Sequence, residues 1–433
     1  MHRGTLVAEV LTAMAMPHLS IGRFRVGTSR NVCCLILVTS AVLGAQELMP
    51  VAGPGGGVRL FSSDAAILEA RETRKDLPCT VTQVKPQLGF DLKFHSGYEV
   101  SFPLKELAGS ENTLTMVFKV TPEAHPDEPV YFSQHVNVPA IEENAGGPAY
   151  LNGNFDVGEG KYHVDWLMRD RSERVCSSNW EIEASLAAKD KQMALDIQPA
   201  EVKAFEGQPF KQEPTVERTQ REGPLNVKVV VNFAPQDAQS ATLQPLDVNA
   251  LLSILRNIAR DPRISKFSIV AFNMQEQRVL YRQEAASQID FPALGKALNG
   301  LNLGTVDLKK LTQKHGDTEF LTSLITTELK DDKEPTDAVI FAGPKVNLEE
   351  GISQDTLKSL SDVKQPVFYM NYSLNPQASP WRDAIGTAVK YLKGVEYTIS
   401  RPRDLFFSWT DIVGRIVKSK FGKPLTANGA SSQ

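Results

Sequence analysis

The residues of this chain that could do chemistry are few and scattered. There are seven histidines and four cysteines in 433 residues. His2 and His18 lie near the amino terminus. His95, His125, His135 and His163 fall among strand-like segments, and His315 stands alone in the second half. No His-x-x-x-His, Cys-x-x-Cys or Gly-x-Ser-x-Gly spacing occurs, so zinc ligation, dithiol exchange and a hydrolase nucleophile turn lack their residues. After the apolar run that begins at Leu225, Ala234–Pro235–Gln236 lacks the glycines that let a backbone approach a pyrophosphate. The best polar cluster is His315–Gly316–Asp317–Thr318. It reads either as a partner-contact loop or as a helix cap in which Asp317 or Thr318 satisfies free N–H groups. Trp381 and Arg382 read either as an exposed anchor pair or as the start of a buried helix. The expectation is a chain that is not an enzyme and carries no cofactor.

Those residues must be held by elements legible in the hydrophobic pattern. From about Leu77 to Leu186, short runs alternate apolar and polar positions: Thr80–Val84, Gly89–His95, Tyr98–Phe102, Leu114–Val120, Val130–Val138, Ala149–Phe155, Tyr162–Arg169 and Val175–Ala184. Alternation puts one face on a core and one in water, and this many short strands predict an antiparallel β-sandwich. From Leu225 the pattern becomes strand and helix in turn. Strands are expected at Asn226–Phe233, Lys266–Asn273, Arg278–Arg282, Asp337–Phe341, Pro366–Tyr372 and Val395–Ile399. Helices are expected at Val248–Ala259, Phe291–Leu301, Thr318–Lys330, Gln354–Leu360, Trp381–Leu392 and Leu405–Lys418. Short connections and right-handed crossovers then predict an α/β, doubly wound, mostly parallel six-stranded sheet with one antiparallel edge.

Apolar residues make up 42% and charged residues 23%, values for a folded globular chain. A net charge of −4 gives no basic face for nucleic acid. Val32–Ala45 is an apolar run too short to span a bilayer comfortably; Arg23, Arg25 and Arg30 precede it and Gly44–Ala45 close it. That order predicts a signal peptide over residues 1–45 and a secreted or periplasmic protein. Its removal takes away four Lys/Arg and one Asp/Glu and leaves a formal charge of −7. Cys79 and Cys176 then remain, as a disulfide candidate or as two buried thiols. The expected division is signal 1–45, linker 46–76, sandwich 77–190, linker 191–224, α/β domain 225–421 and disordered tail 422–433.

Asp156–Trp166, DVGEGKYHVDW, resembles the Asp-x-Gly-x-Tyr-x-Cys corner of immunoglobulin-like domains, with Gly160 before Tyr162 and Val164 where the family has its cysteine. The element order over Leu225–Phe421 resembles the von Willebrand factor type A domain. The whole chain is similar to von Willebrand A-related secreted proteins of Acidobacteria. That resemblance implies a divalent cation held by Asp-x-Ser-x-Ser after the first strand, by a Thr, and by an Asp after the fourth strand. The first set falls on Asn232, Ala234 and Gln236, the Thr on Thr318, and the Asp on Ala342, Gly343 or Pro344. A hard dication without carboxylates is strongly disfavoured. The resemblance therefore implies a degenerate site, no bound metal, and a protein-binding or scaffolding role at the bacterial envelope for an unknown protein partner, with no nucleic acid and no membrane span after signal cleavage. The candidate partner-contact residues are His315, Asp317 and Asp237; the alternatives are metal-dependent adhesion through Asp237, Asp317 and Thr318, and an extracytoplasmic hydrolase.

Overall fold

A computed structural model describes residues 47–49, 60–218, 224–237, 240–301, 303, 315–330, 335–375, 377 and 379–422. The expected signal peptide lies outside the described residues, as do part of the first linker and nearly all of the tail. Among the described residues no helix is long and apolar enough to cross a membrane.

The chain divides into two compact units. The first runs up to Gln87 and includes Phe94–Ser185 and Ile197–Phe205; the second holds Leu88–Lys93, Leu186–Asp196 and the chain from Glu206 on.

The first unit has two antiparallel sheets. Its strands are β1 (Glu47–Leu48), β2 (Thr80–Leu88), β3 (Phe94–Pro103), β4 (Asn112–Pro122), β5 (Val130–Val138), β6 (Pro148–Val157), β7 (Gly160–Arg169), β8 (Val175–Ala184) and β9 (Val202–Ala204). One sheet has the order β1-β5-β4-β7-β8 and the other β2-β3-β6-β9. The alternation read from the sequence builds the interface between them. Leu114, Met116, Phe118 and Val120 are buried on one face of β4. Phe118 meets Tyr98 of β3 edge-on at 5.5 Å and lies 5.7 Å from Phe155 of β6, so the two sheets pack face to face. Each such aromatic contributes roughly 1.5–3 kcal/mol by burial. The Tyr162 hydroxyl donates to Gly158 O at 2.9 Å, closing the corner before β7. A disulfide joins Cys79, beside the start of β2, to Cys176 of β8. The outer face of the first sheet carries helix α1 (Ser62–Ala70), whose Ile67 and Leu68 cover Val117, Leu167 and Val175.

The second unit holds one mixed sheet. Its strands are β10 (Leu225–Asn232), β11 (Ile264–Asn273), β12 (Arg278–Ala286), β13 (Ala338–Gly343), β14 (Val367–Tyr372) and β15 (Val395–Ile399), in the order β12-β11-β10-β13-β14-β15. β11 and β12 pair antiparallel; the other pairings are parallel. β10 is buried on both faces, which is why its sequence is a continuous valine run rather than an alternation. Val227, Val229 and Val231 pack with helices α2 (Pro245–Arg260), α3 (Phe291–Leu298) and α7 (Pro402–Phe421). Val230 faces α4 (Gly316–Lys330), α5 (Gln354–Ser359) and α6 (Ala384–Tyr391).

The expected fold class, an α/β chain defined by a doubly wound von Willebrand A-type sheet, is corrected. Among the described residues the chain is mostly β: nine of its fifteen strands lie in two antiparallel sheets, and the remaining sheet is mixed. The expectation arose by letting the strand–helix alternation of the second half define the whole. The sandwich residues contribute one nine-residue α-helix against nine strands, and they shift the balance.

Local boundaries moved too. Gly89–His95 and Tyr98–Phe102 are not two strands; β3 runs unbroken through Phe94–Pro103, paired along its length with β6. Val202–Ala204, inside the stretch read as linker, is an edge strand on β6. The helix expected from Trp381 begins at Ala384, because the Asp383 carboxylate caps it.

Candidate functional site

The carboxyl end of the mixed sheet gathers most of the residues singled out from sequence. Parallel strands deliver their last residues to one edge, and there the chain turns polar while still buried. β10 ends in Asn232, β11 in Asn273, and Asn371 sits one residue before the end of β14; all three are fully buried. Asn232 Oδ1 accepts from Met274 N at 3.2 Å. Asn273 Oδ1 accepts from Glu276 N at 2.7 Å, and its Nδ2 donates to Phe233 O at 2.5 Å. These amides do the work of backbone partners where strand pairing stops.

Each expected metal-site position has a structural task. Ala234 is buried, and its carbonyl accepts from the Tyr372 hydroxyl at 3.1 Å. Gln236 clips the turn after β14: its Oε1 accepts from Leu374 N at 2.8 Å and Asn375 N at 3.1 Å, while its Nε2 donates to Asn375 O. Ala342 is buried in β13. Gly343 has φ +145, and a Cβ there would lie 2.7 Å from Asn232 Cβ, so only glycine fits. Thr318, near the start of α4, donates its hydroxyl to Glu350 O at 2.8 Å and its backbone N–H to Asp317 Oδ1 at 2.7 Å. His315 Nδ1 lies 3.3 Å from Glu350 Oε2. Asp237 is exposed. The hydrogen bonds of these two groups go to different loops. Asn232, Ala234 and Gln236 tie to the ends of β11 and β14, whereas His315 and Thr318 tie to Glu350 after β13. Among the described residues, no three or more His, Cys, Asp or Glu side chains gather as a metal group.

The sequence reading missed a second cluster at the same end of the sheet, around Asp383. This carboxyl group sits between β14 and α6. Its Oδ1 accepts from Val346 N at 3.1 Å and Ile385 N at 3.2 Å. Its Oδ2 is buried beside Gly386, and the Gly386 N–H and the Tyr369 phenol both favour the ionised carboxyl. Glu396 of β15 lies on the other side of Gly386: a Cβ on that glycine would stand 3.1 Å from Asp383 Oδ2 and 3.2 Å from Glu396 Oε2. Burial pushes Asp383 up to about 6, and the neighbouring Glu396 charge acts in the same direction. Glu396 itself accepts from Asn371 Nδ2 at 2.8 Å and pairs with Lys390 Nζ at 3.1 Å. Tyr369, wholly buried, donates to Pro344 O at 3.1 Å, and its phenol is pushed well up by burial and then by the Asp383 charge. The available signal was Asp383 as a capping residue; its pairing with Glu396 depends on β15 lying beside β14.

Directly before Asp383, Trp381 is 83% exposed. The Arg382 guanidinium stacks over its ring, 4.3 Å from the centroid. Of the two sequence readings of this pair, the structure has the exposed one. Elsewhere in the second unit, a cavity of about 220 Å³ opens beside Ser253, Arg256 and Arg260 of α2. Glu213 Oε1 pairs with Arg256 Nε and Oε2 with Arg260 Nε, both at 2.7 Å, so the guanidiniums there already face a carboxylate.

No family model matches this chain, and no curated protein matches it. Among solved structures, the minor pilin PilB from Streptococcus sanguinis is 9% identical, with 70% of this chain and 87% of that one covered and a TM-score of 0.26. A Bacteroides uniformis β-glucuronidase is also 9% identical, at a TM-score of 0.18, over 80% of this chain and 32% of the other. A structural-genomics target is 10% identical, at a TM-score of 0.17, over 29% of this chain and 97% of its own. The chain thus spans about a third of the length of that glucuronidase. At such TM-scores these likenesses assign neither fold nor function, and none of the three supports the family resemblance read from the sequence.

Proposed function

We propose that this chain is an exported, non-catalytic protein-binding or scaffolding protein that docks its partner through the Trp381–Arg382 turn at the carboxyl end of the mixed sheet. The observation that carries this reading is the exposed indole with a guanidinium stacked on it. Tryptophan and arginine are enriched among residues that anchor interfaces, because each buries a large area and can hydrogen bond at its rim. The site chemistry agrees with binding rather than catalysis. The polar side chains around Asn232 and Gln236 are engaged in holding loops, and the Asp383 carboxyl accepts from Val346 N and Ile385 N. The Cys79–Cys176 disulfide supports an oxidising compartment, hence a secreted or periplasmic location.

The test is affinity capture from the source envelope fraction with the full chain, the Trp381→Ala variant and the Arg382→Ala variant side by side. A partner held by the unaltered chain and lost by Trp381→Ala supports the proposal. Capture of the same proteins by all three overturns it.

A further inference from the structure

We propose that the second unit carries a peptide-recognition groove where α2 meets α3, and that the chain's own Pro209–Arg218 is its occupant in cis. The partner it fits is an extended, proline-containing peptide with an aromatic residue and, three positions on, a carboxylate. The groove lies on the face of the mixed sheet opposite α6, so it is a second surface and does not rest on the docking role of Trp381.

The hydrophobic pattern reads this stretch as a linker, and its backbone joins neither helix nor sheet from Lys211 to Arg218. Its side chains are nevertheless fastened at several points. The Phe210 ring lies over Gly295 of α3, where a Cβ would stand 2.5 Å from the ring Cγ, so glycine makes the seat. The Glu213 carboxylate spans two arginines one helical turn apart on α2: Oε1 pairs with Arg256 Nε and Oε2 accepts from Arg260 Nε, both at 2.7 Å. Arg256 also donates from Nη2 to Pro209 O at 3.0 Å, and its guanidinium stands over the Phe291 ring, 5.8 Å from the centroid. At the far end, Arg218 caps the carboxyl end of α2. Its Nη1 donates to Ala259 O at 3.2 Å and Asp261 O at 3.0 Å, and its Nη2 to Ser287 O at 3.1 Å.

The spacing of the anchors identifies the ligand class. Phe210, Glu213 and Val216 are half-buried, whereas Pro209, Lys211, Gln212, Pro214, Thr215 and Glu217 are exposed. Contact at every third residue is the period of an extended polyproline II segment, and aromatic-lined grooves read such segments at little ordering cost. Two arginines four positions apart on one helix face form a fork for a single carboxylate, which gives the groove its selectivity. A plain tether needs none of this, since it has only to reach from β9 to β10. None of the residues from Pro209 to Arg218 is buried and no strand pairing holds them, so the segment can leave without opening the core beneath. Arg256 and Arg260 also line the cavity of about 220 Å³, where Arg260 Nη1 pairs with Asp196 at 3.2 Å, so the groove extends beyond what the segment fills.

The test uses the full chain and a fluorescein-labelled peptide of residues Glu206–Arg218, followed by fluorescence anisotropy. In the Phe210→Ala/Glu213→Gln double variant the cis occupant is weakened. The peptide is expected to bind that variant at least about tenfold more tightly than the unaltered chain, whose own segment competes at an effective concentration of about 1 mM. Glu213→Gln within the peptide is expected to weaken binding about tenfold, since a neutral amide loses the charged fork. With benzoylphenylalanine in place of Phe210, the peptide is expected to cross-link to α3. A peptide that does not bind the folded double variant overturns the proposal, as does binding indifferent to the Glu213 change or a cross-link outside α2 and α3. Loss of the cooperative thermal transition in the double variant overturns it too, because the segment then belongs to the core. Dimerisation of the unaltered chain that the double variant abolishes, seen by sedimentation, gives the groove to the linker of a second copy and overturns a peptide partner.

Discussion

The two units each bury a carboxylate, and they treat it in opposite ways. In the sandwich, Asp165 lies on β7 with the cations of Lys119 at 2.9 Å and Arg71 at 3.8 Å beside it, and with His163 Nε2 at 2.9 Å. In the mixed-sheet unit, Asp383 is held by backbone N–H groups, with the Tyr369 phenol beside it and the Glu396 carboxylate as a like-charged neighbour. Asp165 is fully buried and Asp383 partly so, and the neighbours differ. A buried anion among cations is a fixed joint, because removing either partner leaves an uncompensated charge. A buried anion beside another anion changes its protonation before it breaks, and that makes it responsive. The sandwich therefore reads as a scaffold, and the end of the mixed sheet as the part that can answer its surroundings.

Four measurements test this contrast. The largest effect is expected in the sandwich. Lys119→Met removes the closest cation from Asp165 and should cost about 3 kcal/mol in urea unfolding; a loss below about 1 kcal/mol would mean that His163 and Arg71 suffice, and that the joint is redundant. Next comes Gly343→Ala, expected to cost roughly 2–3 kcal/mol, because the new Cβ meets Asn232 and the backbone has φ +145. An unchanged melting temperature would show that the crowding between β10 and β13 relaxes freely.

The third change has the opposite sign. Asp383 is raised in the folded chain, so the folded state binds its proton more tightly than the unfolded state does. Its ionised form is therefore a liability above about pH 6, and stability from this group should increase as pH falls from about 6 towards about 4, the unfolded value. Asp383→Asn should accordingly stabilise the chain by about 2 kcal/mol near pH 8 and by little near pH 4. Destabilisation at both pH values would place Asp383 with Asp165 as a fixed structural joint. The smallest effect on stability is expected for Trp381→Ala, within about 0.5 kcal/mol by thermal unfolding, since the side chain is exposed. A larger loss would mean that the indole supports the turn rather than waiting for a partner.

Much of this architecture could be read before any coordinates. The period-two alternation of Leu114, Met116 and Phe118 is the inner face of β4, and the valine run of Asn226–Phe233 is a strand covered on both sides. Alternation and continuous burial leave a mark in one strand at a time, so local pattern suffices. The absence of carboxylates at Asn232, Ala234 and Gln236 was equally legible, because it needs only residue identity. Less legible was the class of the whole chain, which depends on how much of it each unit contributes. The beginning of α6 was misplaced by three residues because Trp381 is as apolar as a helix start and Asp383 declares itself only as a cap.

The amino-acid order by itself determined which segments extend, which coil, and which lack the oxygens for a dication, since those properties reside in neighbouring residues. Only the tertiary structure decided that Trp381 faces water and that Asp383 has Glu396, thirteen positions onward, as a charged neighbour. Those outcomes depend on β15 lying beside β14 in register, with α6 folded back across both, and on long-range packing deciding which charges become neighbours.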